Sequence, residues 1–162
     1  MASVSSQAQS QRQSNVNPIP QGYHTITPYV SVADAKSFIK FLQEGLNAEL
    51  CYQLDGPDGK LMHADVLIGT SHLMISEARP QWGGASTMTL NLYVEDCDKV
   101  LQQAIAAGAK SVREAQNQFY GDRSGSVDDK WGNHWMISSH VEDLAPEEIQ
   151  KRAASMDMTN CG

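Results

Sequence analysis

The pentapeptide "HLMIS", residues 72–76, returns as "HWMIS", residues 134–138, sixty-two positions later (134 − 72). The same offset carries Val32-Ala33-Asp34 onto Val94-Glu95-Asp96. Both of these tripeptides close an alternating run. In "HTITPYVSV" the apolar positions are Ile26, Pro28, Val30 and Val32; in "TMTLNLYVE" they are Met88, Leu90, Leu92 and Val94. A period of two marks a strand with one face on a core. After the first run come Ala35, Phe38, Ile39 and Leu42, and after the second Cys97, Val100, Leu101, Ala104 and Ile105. Both sets have helical spacing. Asp34 and Asp96 suit the starts of these helices, and Gly45 and Gly108 their ends.

Strands follow each helix. The first half gives Glu49–Leu54, Leu61–Ile68 and His72–Ser76, punctuated by "DGPDGK" and by Gly69-Thr70. The second gives Ser111–Arg113, a less regular Gln116–Tyr120, Arg123–Val127 and His134–Ser138, with "DDKWGN" as the last turn. Each half is therefore β-α-β-β-β, over residues 20–78 and 86–141, joined by the linker "EARPQWGGAS". A last helix is expected at Pro146–Ala154, within a C-terminal segment 142–156. Proline suits its first position, Glu147 and Glu148 its N-terminal end, and Lys151 and Arg152 its C-terminal end. Residues 1–18 are rich in Ser, Gln and Asn and cannot bury enough apolar surface to order, so a disordered tail is expected. One Arg among them is thin support for a transit peptide.

Composition narrows the function classes. The chain has 162 residues, 41% apolar and 19% charged, with a formal net charge of −7, which fits one domain built of two similar halves. An acidic surface repels nucleic acid and anionic lipid, so neither is an expected partner. No run approaches the length of a membrane span, and no basic-then-apolar opening suggests a secretory signal, so neither is expected. Three cysteines, Cys51, Cys97 and Cys161, lack paired spacing. Reduced thiols and a cytoplasmic location are the expectation.

Two tandem βαβββ modules resemble the vicinal oxygen chelate superfamily, which holds glyoxalase I, bleomycin-resistance proteins and extradiol dioxygenases. The segments "GYHTITPYVSVADAKSFIKFL", "MHADVLIGTSHLMISE", "YGDRSGSVDDKWGNHWMISSHVED" and "PEEIQKR" resemble its PhnB-like branch, which usually carries Asp-Pro-Phe-Gly-His in the last turn. Here that turn is Asp129-Lys130-Trp131-Gly132-Asn133, without the histidine. The resemblance implies an α+β fold: a curved, partial-barrel mixed sheet with helices outside and a ligand inside, usually in a homodimer. With the faces so assigned, Ile26, Val30, Leu73, Ile75, Leu90, Leu92, Trp135 and Ile137 pack under helices. Thr25, Thr27, Tyr29, Thr87, Thr89, Asn91 and Tyr93 face the cavity, as do His72, Met74, Ser76, His134, Met136 and Ser138.

Metal-using members place ligands, typically His and Glu, on the first and last strands of each half. Carried over, those positions are Thr27, Met74, Thr89 and Met136. Thioethers and neutral hydroxyls suit neither hard nor borderline dications, so no metal cofactor is expected. A shift of two residues would preserve strand parity and offer His72 and His134, so the runner-up is a site for one divalent metal. His63 and Asp65 share a face two residues apart and make a candidate acid/base pair, or an ordinary polar pair at a wet mouth. Arg123 is placed beside Leu61's position by the repeat, facing inward as an anchor for a carboxylate or phosphonate, or else tied up in a salt bridge. Glu77 is a ligand carboxylate or a solvated edge residue. Three functions follow: a metal-independent binder of a small organic molecule, anionic or neutral; a glyoxalase- or dioxygenase-type enzyme with shifted metal ligands; and a metal-free lyase or isomerase using His63 and Asp65. The first is preferred, with Thr27, Tyr29, Met74, Thr89, Asn91, Arg123, His134 and Met136 as ligand-binding residues.

Overall fold

The computed structural model describes residues 16–155. The tail expected over 1–18 lies outside the described residues except for its last three. In chain order the elements are β1 (Tyr29–Val32), α1 (Ala35–Leu46), β2 (Glu49–Asp55), β3 (Leu61–Ile68), β4 (Ser71–Glu77), β5 (Thr89–Tyr93), α2 (Cys97–Ala106), β6 (Lys110–Asn117), β7 (Asp122–Asp128), β8 (His134–His140) and α3 (Pro146–Ala154). A 3-10 turn at Pro80–Trp82 lies in the linker. The strands form two four-stranded mixed sheets, ordered β1-β4-β3-β2 and β5-β8-β7-β6. In each, the first strand runs parallel to the last and the other pairs are antiparallel. The two halves thus have one topology, and the fold is α+β.

One face of each sheet is covered by its own helix, and α1 and α2 pack on each other. Val30, Val32, Val66, Leu73 and Ile75 lie under α1, and Val127, Trp135 and Ile137 under α2, all buried. This is the core that the alternation predicts. Leu90 and Leu92 are only half-buried, and Ile26 is 84% exposed because β1 begins three residues later, at Tyr29. Residues 25–27 are therefore not strand, which corrects the longer first strand expected.

The helix starts use two devices. Asp96 is extended and its carboxylate accepts the Lys99 N–H. Asp34 instead sits in the left-handed region and makes no side-chain cap. The orphan N–H groups there are satisfied by Glu77, at the end of β4, whose carboxylate accepts from Asp34 N at 3.1 Å and Ala35 N at 2.9 Å. The repeat-related residue is Ser139 (77 + 62), and its hydroxyl accepts from Cys97 N at 2.9 Å. Each last strand thus ends on a cap for its module's helix. Gly108, at φ 110°, follows α2 as expected. Gly45 does not end α1: it lies inside the helix, where a Cβ would come within 3.2–3.3 Å of Ala107, Phe41 and the Ala104 backbone. It is the point where the two helices touch.

The turn before β8 also joins the halves. Asn133 is fully buried; its backbone N–H and side-chain Nδ2 donate to Asp129, and its side-chain Oδ1 accepts from Met88 N. Asp129 also accepts from Trp131 N and from the Trp135 indole. The Trp131 ring packs on Phe38 and Phe41 of α1, and its N–H donates to the Ala33 carbonyl. Asn in place of the branch's histidine is thus part of a hydrogen-bonded knot that holds one module to the other.

Candidate functional site

The faces turned away from the helices are open. On the first sheet they carry Tyr29, His63, Asp65, His72, Met74 and Ser76. On the second they carry Thr89, Asn91, Tyr93, His134, Met136, Ser138 and His140, with Asp122, Ser124, Ser126 and Asp128 on the neighbouring strand. Every residue of β2 is exposed, so the first sheet does not close on itself within one chain.

Arg123 is not on this face. The repeat is offset by 62 between β4 and β8 but by 61 between β3 and β7: Val66 pairs with Leu73, and Val127 with Trp135, which is Leu73 plus 62. A one-residue slip turns every side chain of a strand over. Arg123 therefore shares the helix side with Gly125 and Val127, where its Nε and Nη2 donate to both carboxylate oxygens of Asp98 on α2, at 2.6 and 2.7 Å. The expected inward orientation is corrected. A cation that does reach the open face is Arg113, whose guanidinium donates to Ser124 Oγ at 3.1 Å.

His63 and Asp65 share a face but are not bonded to each other. His63 lies beside Tyr29 and Tyr52, with ring centroids 6.0 and 6.3 Å away. Asp65 is buried, and its Oδ2 accepts the Tyr23 hydroxyl at 2.8 Å and meets His72 Nδ1 at 2.7 Å. The Tyr23 ring stacks on His72 with centroids 4.0 Å apart. Cys51 joins them: its sulfur, an Asp65 oxygen and a His72 ring nitrogen lie within 4.8 Å of one another. Asp65 Oδ1 is buried and has no hydrogen-bond partner among the described residues. The hydrogen bond to Asp65 pushes the Tyr23 phenol up, and burial, then the Asp65 charge, pushes the Cys51 thiol up. Tyr23 precedes the strand and Cys51 sits at a register shift in β2, so strand alternation gives no sign of either. His72 is on the cavity face where alternation places it.

The second sheet has a comparable cluster at a different place. Asp122, also buried, accepts the Tyr93 hydroxyl at 2.7 Å and meets His140 Nδ1 at 2.8 Å. Asp122, then Asp143, raises the His140 pKa, and Asp122 raises that of the Tyr93 phenol. The position related to Asp65 is Ser126, since each is paired with its strand's Met. The two clusters are therefore not copies of one ancestral site. His134 pairs with Asp128 at 2.6 Å.

The four positions that the resemblance implies for a metal do not form a fitting donor set. Met74 lies opposite Tyr29, Met136 opposite Asn91 and Thr89 opposite His134. The Thr27 hydroxyl is engaged by the His24 carbonyl at 3.4 Å. Two thioethers and two hydroxyls lack the charge that offsets a dication's desolvation.

Between the modules, the segment before β1, the β3–β4 turn and β5 enclose a crevice of about 550 Å³. His24, Thr27, His72, Asn91, Tyr93 and Trp135 are among its walls. Of the ligand-binding residues expected from sequence, it brings together Thr27 and Asn91. Tyr29, Met74, Thr89, His134 and Met136 lie on the open sheet faces instead.

The family model described as "Glyoxalase/Bleomycin resistance protein/Dioxygenase superfamily" matches residues 23–137. An uncharacterized protein of Mycobacterium bovis is 34% identical over 140 residues, 80% of this chain and 92% of that protein. Among solved structures, TioX from Micromonospora sp. ML1 is similar at a TM-score of 0.60 and 24% identity, over 72% of this chain and 99% of that one. A PhnB protein from Bacillus cereus is similar at a TM-score of 0.58 and 15% identity, with the same coverage. At these identities the two structures speak for the fold.

Proposed function

Because the chain belongs to the glyoxalase/bleomycin resistance protein/dioxygenase superfamily, we propose that it is a PhnB-like member that binds a small organic molecule, with no metal at the four ancestral ligand positions. The observation that carries this reading is the pairing of a crevice of about 550 Å³ with Thr and Met where metal-using members place His and Glu. That volume suits a small ligand. Leu73, Leu90, Leu92 and Trp135 give the crevice apolar walls, while His24, His72 and Asn91 supply polar groups that fix orientation. The Arg123 guanidinium is committed to Asp98. A homodimer in the cytoplasm completes the proposal. Exposed aromatic residues on the open faces support the first part, and free Cys51 and Cys97 support the second. Among the described residues no helix is long and apolar enough to cross a membrane.

A second reading, a metal-free acid/base lyase or isomerase, is favoured by the 2.7 Å contact of His72 with buried Asp65. That contact replaces the pair of His63 with Asp65 and leaves a histidine on the crevice wall. Native mass spectrometry of the purified protein, alone and with a panel of aromatic and carboxylate compounds, tests both. One ligand per chain is expected, bound at least tenfold more weakly by Asn91→Trp, which fills the crevice. Failure of every compound to bind, or binding indifferent to Asn91→Trp, refutes the crevice as the site. Chemical conversion of the bound compound that is lost in His72→Ala, with binding kept, selects the enzyme.

A further inference from the structure

We propose that Cys51, Asp65 and His72 form a site for one borderline divalent cation of the zinc or cobalt(II) kind, built by the first module alone and separate from the four ancestral positions. This goes beyond the ligand-binding reading and does not depend on it. Two observations carry it. The first is convergence: sulfur, carboxylate oxygen and imidazole nitrogen from three adjacent strands lie within 4.8 Å of one another. Donors sharing a tetrahedral ion at bond lengths of about 2.0–2.3 Å stand roughly 3.3–3.8 Å apart, so side-chain adjustments of about an ångström suffice. The second is the buried Asp65 Oδ1, which has no partner among the described residues although the side chain is only 5% exposed. A buried carboxylate oxygen without a donor has lost its hydration uncompensated, and a cation would supply what is missing.

The donor set selects the metal class. A thiolate and an imidazole favour zinc-like ions, and calcium or magnesium would want oxygen donors throughout. One thiolate and one carboxylate neutralise a dication, so the loaded cluster brings no net charge to the buried Asp65. On binding, the Cys51 thiol proton leaves to solvent and a sulfur–metal bond forms; nothing is oxidised or reduced. Oδ2 can keep the Tyr23 hydroxyl while Oδ1 takes the ion. The present contact of His72 Nδ1 with Oδ2, at 2.7 Å, is too short for two ligands of one ion and gives way. The stacked Tyr23 ring limits where the imidazole can go. Three protein ligands leave a fourth position for the Tyr23 oxygen or for water.

The test uses the full chain, stripped by chelator and titrated with cobalt(II), which reports a bound thiolate by a charge-transfer band in the near ultraviolet. One cobalt per chain with that band is expected, displaced by zinc. Cys51→Ser should abolish the band and weaken binding at least tenfold, while Cys161→Ser leaves both unchanged. Cys51 lies on an exposed edge strand, so its serine variant should fold, and circular dichroism checks this. His72→Ala should weaken binding to a similar degree. Absence of the band at saturating cobalt, or a band and affinity unchanged in Cys51→Ser, overturns the site and leaves a plain Asp65–His72 hydrogen bond.

Discussion

Glu77 shows how one side chain acquires its role from where a strand ends. Sequence leaves it as a ligand carboxylate or a solvated edge residue, since alternation says nothing about what lies beyond the last residue of a strand. In the fold it reaches the N-terminus of α1, and both its oxygens accept backbone N–H groups there. A negative charge at that end also opposes the positive pole of the helix. Asp34 makes no cap itself, so the carboxylate of Glu77 is not duplicated. Glu77→Ala should therefore lower stability by about 1 kcal/mol, the usual effect of losing a helix cap. Thermal unfolding should show Tm falling by about 2–4 °C, with Glu77→Gln falling less. An unchanged Tm would mean that water caps α1 as well. The same scale explains Asp65: its burial and its partner His72 follow from the register of β3 against β4, which pairs Asp65 with Met74 and sets His72 diagonally across from it.

At the level of elements, much of the fold is legible because its code is redundant. Each half repeats the same alternation, the same helical stripe and the same strand-ending sequence; β3 appears with its observed bounds from its alternation, and α3, outside the repeat, from its initial proline and its end charges. Local irregularity is where the reading fails. Ser111–Arg113 and Gln116–Tyr120 are one strand, β6 (Lys110–Asn117), interrupted by two register shifts, with Tyr120 in the turn beyond it. The reversed face of Arg123 has a related origin: the β7–β8 connection is longer than the β3–β4 turn by an odd number of residues, and parity is lost. What keeps β7 in place can be tested at Gly125. It lies opposite Ile137, under α2, where a Cβ would meet Leu101 Cδ1 at 2.6 Å and the Arg113 carbonyl oxygen at 2.8 Å. Only the leucine methyl can move aside. Gly125→Ala should destabilise the protein by about 2 kcal/mol through overpacking. Chemical denaturation should show the midpoint falling with its slope unchanged. A stable Gly125→Ala variant would mean that α2 rides farther from the sheet than described.

For the whole molecule, the question is what covers the open faces. Tyr29 is 52% exposed, Tyr52 53%, Leu54 43% and Tyr93 60%. All four stand on the sheet faces away from the helices, as the pairing of Tyr52 with Asp65, Leu54 with His63 and Tyr93 with Ser138 requires. β2 adds a seven-residue edge strand with both faces in solvent. A long unprotected edge beside exposed aromatic rings invites association. Within one chain, α1 against α2 and Trp131 against Phe38 and Phe41 already fix one module to the other. The proposed homodimer would cover the open faces, and a two-fold pairing would let the first sheet of one chain meet the second sheet of its partner. Sedimentation equilibrium at micromolar concentration should give one species of about twice the 17.7 kDa chain mass. Tyr52→Glu places a charge on the covered face without touching the core, and should shift the equilibrium toward monomer while circular dichroism stays unchanged. A wild-type chain that sediments at its own mass would leave these faces to solvent or ligand and overturn the dimer.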